Sequence, residues 1–209
     1  MKKLKLLVAS ALLSSTTVYA DDCTDTSATN CGITISGSQT IDIDSSIDVE
    51  NVKGINITSS SNTLTIDGDI TVNSSVNSAF GLNIDNGGNN NNVINMTGDI
   101  STISTGGASG MAGIRIGPNS STNTVNVTGN VSTTGANSSG ILIIEGGDNN
   151  NVTLNGNINT SGGTNANGVR ITGQSSGNLG INNHITVNGD ISTVSSHAIG
   201  IAGYAHDSN

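Results

Sequence analysis

Tryptophan is absent from this 209-residue sequence, phenylalanine and proline occur once each, and tyrosine occurs twice. With aromatics at 1% of the chain, the bulky side chains that fill an ordinary two-layer core are missing. Charge is scarce too: 10% of residues are charged, against roughly 25% in an average soluble domain. Only six residues are Lys or Arg, too few for the cationic surface that phosphate neutralisation needs, so no nucleic-acid partner is expected. Apolar residues stop at 33%, where average domains hold roughly 45–50%. These shortages leave a disordered polar tract, or a fold that needs only a thin core.

What is present begins with a delivery signal. Lys2, Lys3 and Lys5 precede the short apolar run Leu6 to Leu13, and Val18 and Ala20 occupy the −3 and −1 positions of a small-residue cleavage site. The run is far shorter than the roughly 20 residues that cross a bilayer, so residues 1–20 read as a cleaved signal peptide, with Asp21 as the mature start. Removing it leaves Lys53, Arg115 and Arg170 against fifteen acids, a net charge of −12. The simplest meaning is solubility after export. The sharper one is an acidic surface that collects divalent cations. Cys23 and Cys31 are the only cysteines, and an oxidising compartment would join them as a disulfide. Residues 21–40 are therefore expected to form an N-terminal cap with a disulfide loop. A structural zinc site wants four ligands, which two isolated cysteines cannot supply.

Internal repeats decide the fold. The pattern apolar-x-apolar-x-Gly-[Asp/Asn]-[Ile/Val] occurs from Leu64, Ile94, Val125, Val152 and Ile185, with a degenerate copy from Ile41 that carries Ser45 in place of glycine. The corner positions are thus Ser45, Gly68, Gly98, Gly129, Gly156 and Gly189, separated by 23, 30, 31, 27 and 33 residues. A second landmark, a glycine leading alternating apolar residues, recurs at Gly54, Gly81, Gly113, Gly140, Gly168 and Gly200. Length varies only in the tracts between landmarks, as in the loops of a stacked structure.

Alternation over three to five residues is the strand period, and a corner glycine lets the chain turn where a Cβ would collide. Three short strands per repeat predict an all-β parallel β-helix, or β-solenoid, of about six coils of 23–33 residues over residues 41–209. Inward ladders are expected along Ile41–Leu64–Ile94–Val125–Val152–Ile185, Ile43–Ile66–Met96–Val127–Leu154–Val187 and Ile47–Ile70–Ile100–Val131–Ile158–Ile191. A threonine column, Thr102–Thr133–Thr160–Thr193, should follow on the second strand. Small β-branched side chains fit such slots, which accounts for the missing aromatics. The tracts from Gly87 (GGNNNN) and Gly146 (GGDNNN) lack apolar anchors and are expected to stay mobile rather than stack as asparagine ladders.

Chemistry is sparse. His184, His197 and His206 have no Cys or acidic partner at ligand spacing, and no G-x-S-x-G elbow occurs. Asp42, Asp44 and Asp48 point outward together, while Asp67, Asp69, Asp99 and Asp190 sit beside corners, where Asp and Asn satisfy turn backbone. Arg115 and Arg170 occupy equivalent outward positions two coils apart, about 10 Å along the rod, and could clamp an acidic sugar. A solenoid polysaccharide lyase or hydrolase is therefore the enzymatic alternative, although it lacks the aromatics that line a sugar cleft. An ice-binding face is a third class, against which the outward ladder shows no regular T-x-T array. No catalytic residue, metal site or cofactor is assigned.

The signal segment, the cysteine pair at the mature start and the Asn/Gly/Ser/Thr-rich repeats over roughly residues 33–205 resemble the passenger domain of bacterial autotransporters (type V secretion). The resemblance implies export across the inner membrane of a Gram-negative cell and display at the cell surface or outer membrane, or release. It further implies an adhesin-like or structural role toward host-cell, matrix or other cell-surface ligands. Membrane contact would run only through a C-terminal barrel, which this sequence lacks. The sequence is accordingly expected to be a fragment that stops inside its sixth coil.

Overall fold

The computed structural model describes residues 17–20, 32–85, 87, 89–144, 146–172 and 182–204, all as strands and their connections, without a helix. Cys23, Cys31 and His206 lie outside the described residues. The first sheet stacks Thr40–Ile43, Thr63–Asp67, Val93–Thr97, Thr124–Thr128, Asn151–Asn155 and His184–Val187. The second stacks Ile47–Glu50, Ile70–Ser74, Ile100–Ser104, Val131–Thr134, Ile158–Thr164 and Ile191–Ser196. The third, led by the glycine landmarks, stacks Ile33–Ser36, Ile55–Ile57, Phe80–Ile84, Ala112–Ile116, Ser139–Ile144, Asn167–Thr172 and Ile201–Tyr204. All of these pair in parallel, each with its equivalent one coil away. The chain is a parallel β-solenoid of about five turns with three strands per coil.

Two features lie at its start. The first strand of the third sheet, Ile33–Ser36, falls inside residues 21–40, the stretch expected to form a cap. Thr17–Ala20 pairs with that strand in the antiparallel sense, the only such pairing among the described residues.

The registers place every apolar ladder where the alternation put it. Ile41 faces Leu64, Leu64 faces Ile94, and the column continues through Val125 and Val152 to Ile185. The Ile43 and Ile47 columns run unbroken to Val187 and Ile191. Together they form one core of almost entirely aliphatic side chains. The threonine column is real as well, with Thr102, Thr133 and Thr160 in register and buried. It continues the Val49–Val72 column, and the hydroxyls of Thr102 and Thr133 find no hydrogen-bond partner there.

Glycine is required at the corner by contact between coils. A Cβ on Gly68 would stand 2.7 Å from the Ser45 carbonyl oxygen, and on Gly98, Gly129, Gly156 and Gly189 it would meet the preceding corner's carbonyl closer still. Each corner residue's Cβ direction thus points at the coil before it. Ser45 belongs to the first corner, and among the described residues no corner backbone lies in front of it, so a side chain is tolerated.

Polar stacking corrects one expectation. The asparagine tracts are not free loops: Asn92 and Asn150 stand in a ladder through Asn62, Asn92, Asn123, Asn150 and Asn183, buried except at the half-buried Asn183. In each step the backbone N–H and Nδ2 of one asparagine both donate to Oδ1 of the next, at 2.8–3.1 Å. Asn62, Asn92 and Asn123 are completely buried. The residue before each ladder asparagine, Ser61, Asn91, Thr122, Asn149 or Asn182, is left-handed, with φ between 54° and 61°. That turn aims the amide inward, and Asn is among the residues that tolerate it nearby.

Candidate functional site

The outer face of the third sheet carries a cluster of polar and charged side chains. Asn56, Asn83 and Arg115 occupy successive rungs of one outward column, which continues through Leu142 and Arg170 to Ala202. Although this face points away from the core, the connections on either side enclose it: Asn83 is fully buried and Arg115 only 8% exposed. Asn83 Nδ2 donates to Asn56 Oδ1 at 2.6 Å, and Asn83 Oδ1 accepts from Arg115 Nη1 at 2.7 Å. The Arg115 guanidinium lies 4.8 Å from the ring centre of Phe80, the single phenylalanine, which sits outside the aliphatic core. Cation–π attraction at a desolvated site of this kind is worth about 1–2 kcal/mol.

Asp85, at the mouth of the connection after Phe80–Ile84, closes the cluster. Its carboxylate meets Lys53 Nζ at 3.1 Å and Arg115 Nη1 at 3.6 Å. Desolvation lowers the pKa of Arg115, while the charge of Asp85 and its hydrogen bond act in the opposite direction. The Asp85 carbonyl also accepts from Ser120 Oγ and Asn89 Nδ2. These bonds bind three neighbouring coils together and hold their connections against the sheet. Arg115 and Arg170 do stand two rungs apart in one column, as their spacing indicates. The pair is not an open clamp for an acidic sugar, because the Arg115 guanidinium is buried against Phe80, Asn83 and Asp85.

The corner residues after glycine form a second polar ladder. Ser46 Oγ accepts from the Asp69 backbone N–H. The side-chain oxygens of Asp69, Asp99, Asn130 and Asn157 then accept in turn from the N–H groups of Asp99, Asn130, Asn157 and Asp190. These acids serve the turn backbone. Asp42, Asp44 and Asp48 remain exposed on the first coil, and Glu50 with them.

The outer face of the first sheet is polar. Thr65, Asn95, Asn126, Thr153 and Thr186 form one column, and Asp67, Thr97, Thr128 and Asn155 another. Amides link some rungs: Asn126 Nδ2 donates to Asn95 Oδ1 and Asn188 Nδ2 to Asn155 Oδ1. His184 sits at the edge of this face with Nε2 3.2 Å from the Thr186 hydroxyl. Among the described residues, no three His, Cys, Asp or Glu side chains come together as a metal site.

Sequence reasoning missed the enclosed Arg115 cluster and the buried asparagine ladder. For the ladder a signal existed: Gln39, Asn62, Asn92, Asn123, Asn150 and Asn183 each stand two residues before the first inward apolar residue of their coil. For the cluster there was none, since Phe80 and Arg115 are 35 residues apart and meet only through the stacking of coils.

No family model, no curated protein and no solved structure matches this chain.

Proposed function

We propose that this chain is a rod-like, non-enzymatic scaffold of an exported protein, of the kind found in autotransporter passengers, with an adhesin-like or structural role at a Gram-negative cell surface or after release. The observation that carries this reading is the coil-to-coil locking by buried asparagines and corner Asp and Asn side chains. It fixes each coil on the next while leaving connection length free at two points of every coil. Such a rod can carry variable loops and polar faces outward without disturbing its core. Export rests on the segment Met1 to Ala20, with its cationic start, short apolar run and small residues before Asp21.

The test is expression of the whole sequence in a Gram-negative host, followed by fractionation and mass measurement. The reading requires protein outside the inner membrane whose N-terminus is Asp21; an intact Met1 chain held in the cytoplasm would refute it. Assay of the folded rod on uronate polymers should show no turnover, and measurable cleavage would return the carbohydrate-active alternative.

A further inference from the structure

The cluster on the outer face of the third sheet brings an amine up to an amide carbonyl. Lys53 lies in the connection between Ile47–Glu50 and Ile55–Ile57, and Asn56 is the middle residue of the second of these strands. Lys53 Nζ donates to Asn56 Oδ1 at 3.3 Å and to Asp85 Oδ2 at 3.1 Å. The Lys53 and Asp85 side chains are 29% and 28% exposed, so water reaches their contact only in part.

The amide is held from the other side as well. Asn83 Nδ2 donates to the same Asn56 Oδ1 at 2.6 Å, and Arg115 Nη1 donates to Asn83 Oδ1 at 2.7 Å. Two donors on one oxygen fix which end of the Asn56 amide faces the lysine and draw electron density away from its Cγ. Asn83 is completely buried and Arg115 nearly so, which sets the second donor in place before any reaction. Turning the last side-chain bonds of Lys53 carries the amine from Oδ1 onto Cγ, the carbon to which Oδ1 is bonded. A nucleophile, an electrophile, a donor for an oxyanion and a carboxylate for the proton therefore converge on one amide.

We propose that Lys53 and Asn56 join through a self-catalysed isopeptide bond. Asp85 takes a proton from the Lys53 ammonium, and the freed amine attacks Asn56 Cγ to form the new C–N bond. The oxyanion that develops on Oδ1 is stabilised by Asn83 Nδ2. Asp85, now a carboxylic acid, hands its proton to the original amide nitrogen of Asn56. The bond from Cγ to that nitrogen breaks, ammonia leaves, and it takes up the proton that the new amide nitrogen sheds. Lysine ammonium and a primary amide thus become a secondary amide and ammonium, with no oxidant or outside reactant. Asp85 ends as a carboxylate and keeps Arg115 as its cationic partner. The bond closes a covalent ring over Gly54 and Ile55 and fixes the corner that leads into the third sheet.

The test uses the whole chain, folded and held until its mass no longer changes. The wild type should be lighter than its sequence by one ammonia, whichever N-terminus it carries. Lys53 is the only lysine beyond Lys5, so a lysine-specific protease acting on the denatured chain reads the same bond. Acylated Lys53 is not cut, and the chain beyond Lys5 should stay in one piece. Asn56→Ala should restore the full mass and cleavage after Lys53. Asp85→Ala, checked for its β-sheet spectrum, should form the bond about 10²–10⁴-fold more slowly. If that variant loses the spectrum, wild type kept in guanidinium supplies the comparison, since without the fold the bond should not form. Full mass with cleavage at Lys53 in the folded wild type would overturn the proposal. Loss of water in place of ammonia would overturn it too, because it would join Lys53 to Asp85. Ammonia lost while Lys53 is still cut would place the loss at Asn–Gly steps such as Asn155–Gly156, with the same consequence.

Discussion

Replacing Asn123 with alanine tests the buried ladder at its centre. Asn123 Oδ1 accepts two bonds from Asn92, from the backbone N–H at 3.0 Å and from Nδ2 at 2.9 Å. Its own Nδ2 donates to Asn150 Oδ1 and to the Asn89 carbonyl, both at 3.0 Å. All but Asn89 and Asn150 in this group are completely inaccessible, and those two are nearly so. Truncation leaves both Asn92 donors buried without an acceptor, at about 1–3 kcal/mol each, so a total near 4 kcal/mol is expected. Asn126→Ala provides the control, since its amide bond to Asn95 is on the exposed face and should matter by less than about 0.5 kcal/mol. Guanidinium unfolding followed by circular dichroism measures both, and in a chain of this size the first change corresponds to a Tm drop of about 8–16 °C. Equal midpoints for the two variants would refute the view that the ladder holds the coils together.

Other consequences follow from single contacts. Gly129→Ala places a methyl group against the Gly98 carbonyl and should prevent stacking at that corner, whereas Gly107→Ala meets no atom within 4 Å and should cost only the about 1–2 kcal/mol of its left-handed backbone; unfolding midpoints compare them. Thr133→Val removes a buried hydroxyl with no partner from a column that already holds Val72, and should raise stability by about 1 kcal/mol in the same assay. For the enclosed cation, Arg115→Ala should destabilise by about 3 kcal/mol, and a cycle with Asp85→Asn should give a coupling of about 1 kcal/mol or more; additivity would mean the pair does not interact.

Which features could be read from the sequence follows from the range of their causes. The inward ladders were legible because alternation and a corner glycine are local, and Ile66 or Val127 announces its face within its own strand. The threonine column was legible for the same reason. The asparagine ladder was obscured by composition, because Asn92 stands in a run of four asparagines and only its distance from Ile94 marks it. Its role depends on a partner 31 residues away. Arg115 misled for a related reason. Alternation puts it on the outer face, correctly, but the connections that enclose that face are set by Asp85, Asn89 and Ser120, which no strand period describes. Ser45, a defect when only the motif is considered, gains a physical reason once the corner's Cβ direction toward the preceding coil is known.

The central claim is the stacking itself, and a distance between equivalent positions of remote coils tests it most directly. Spin labels on Thr65→Cys and Thr186→Cys, with Cys23 and Cys31 changed to serine, report on residues that lie four rungs apart in one outward column. The solenoid predicts a narrow distribution centred about 19 Å between the backbone positions, from four spacings of about 4.8 Å. A broad distribution near 60 Å, the scale of a Gly-rich coil of about 121 residues, would contradict it.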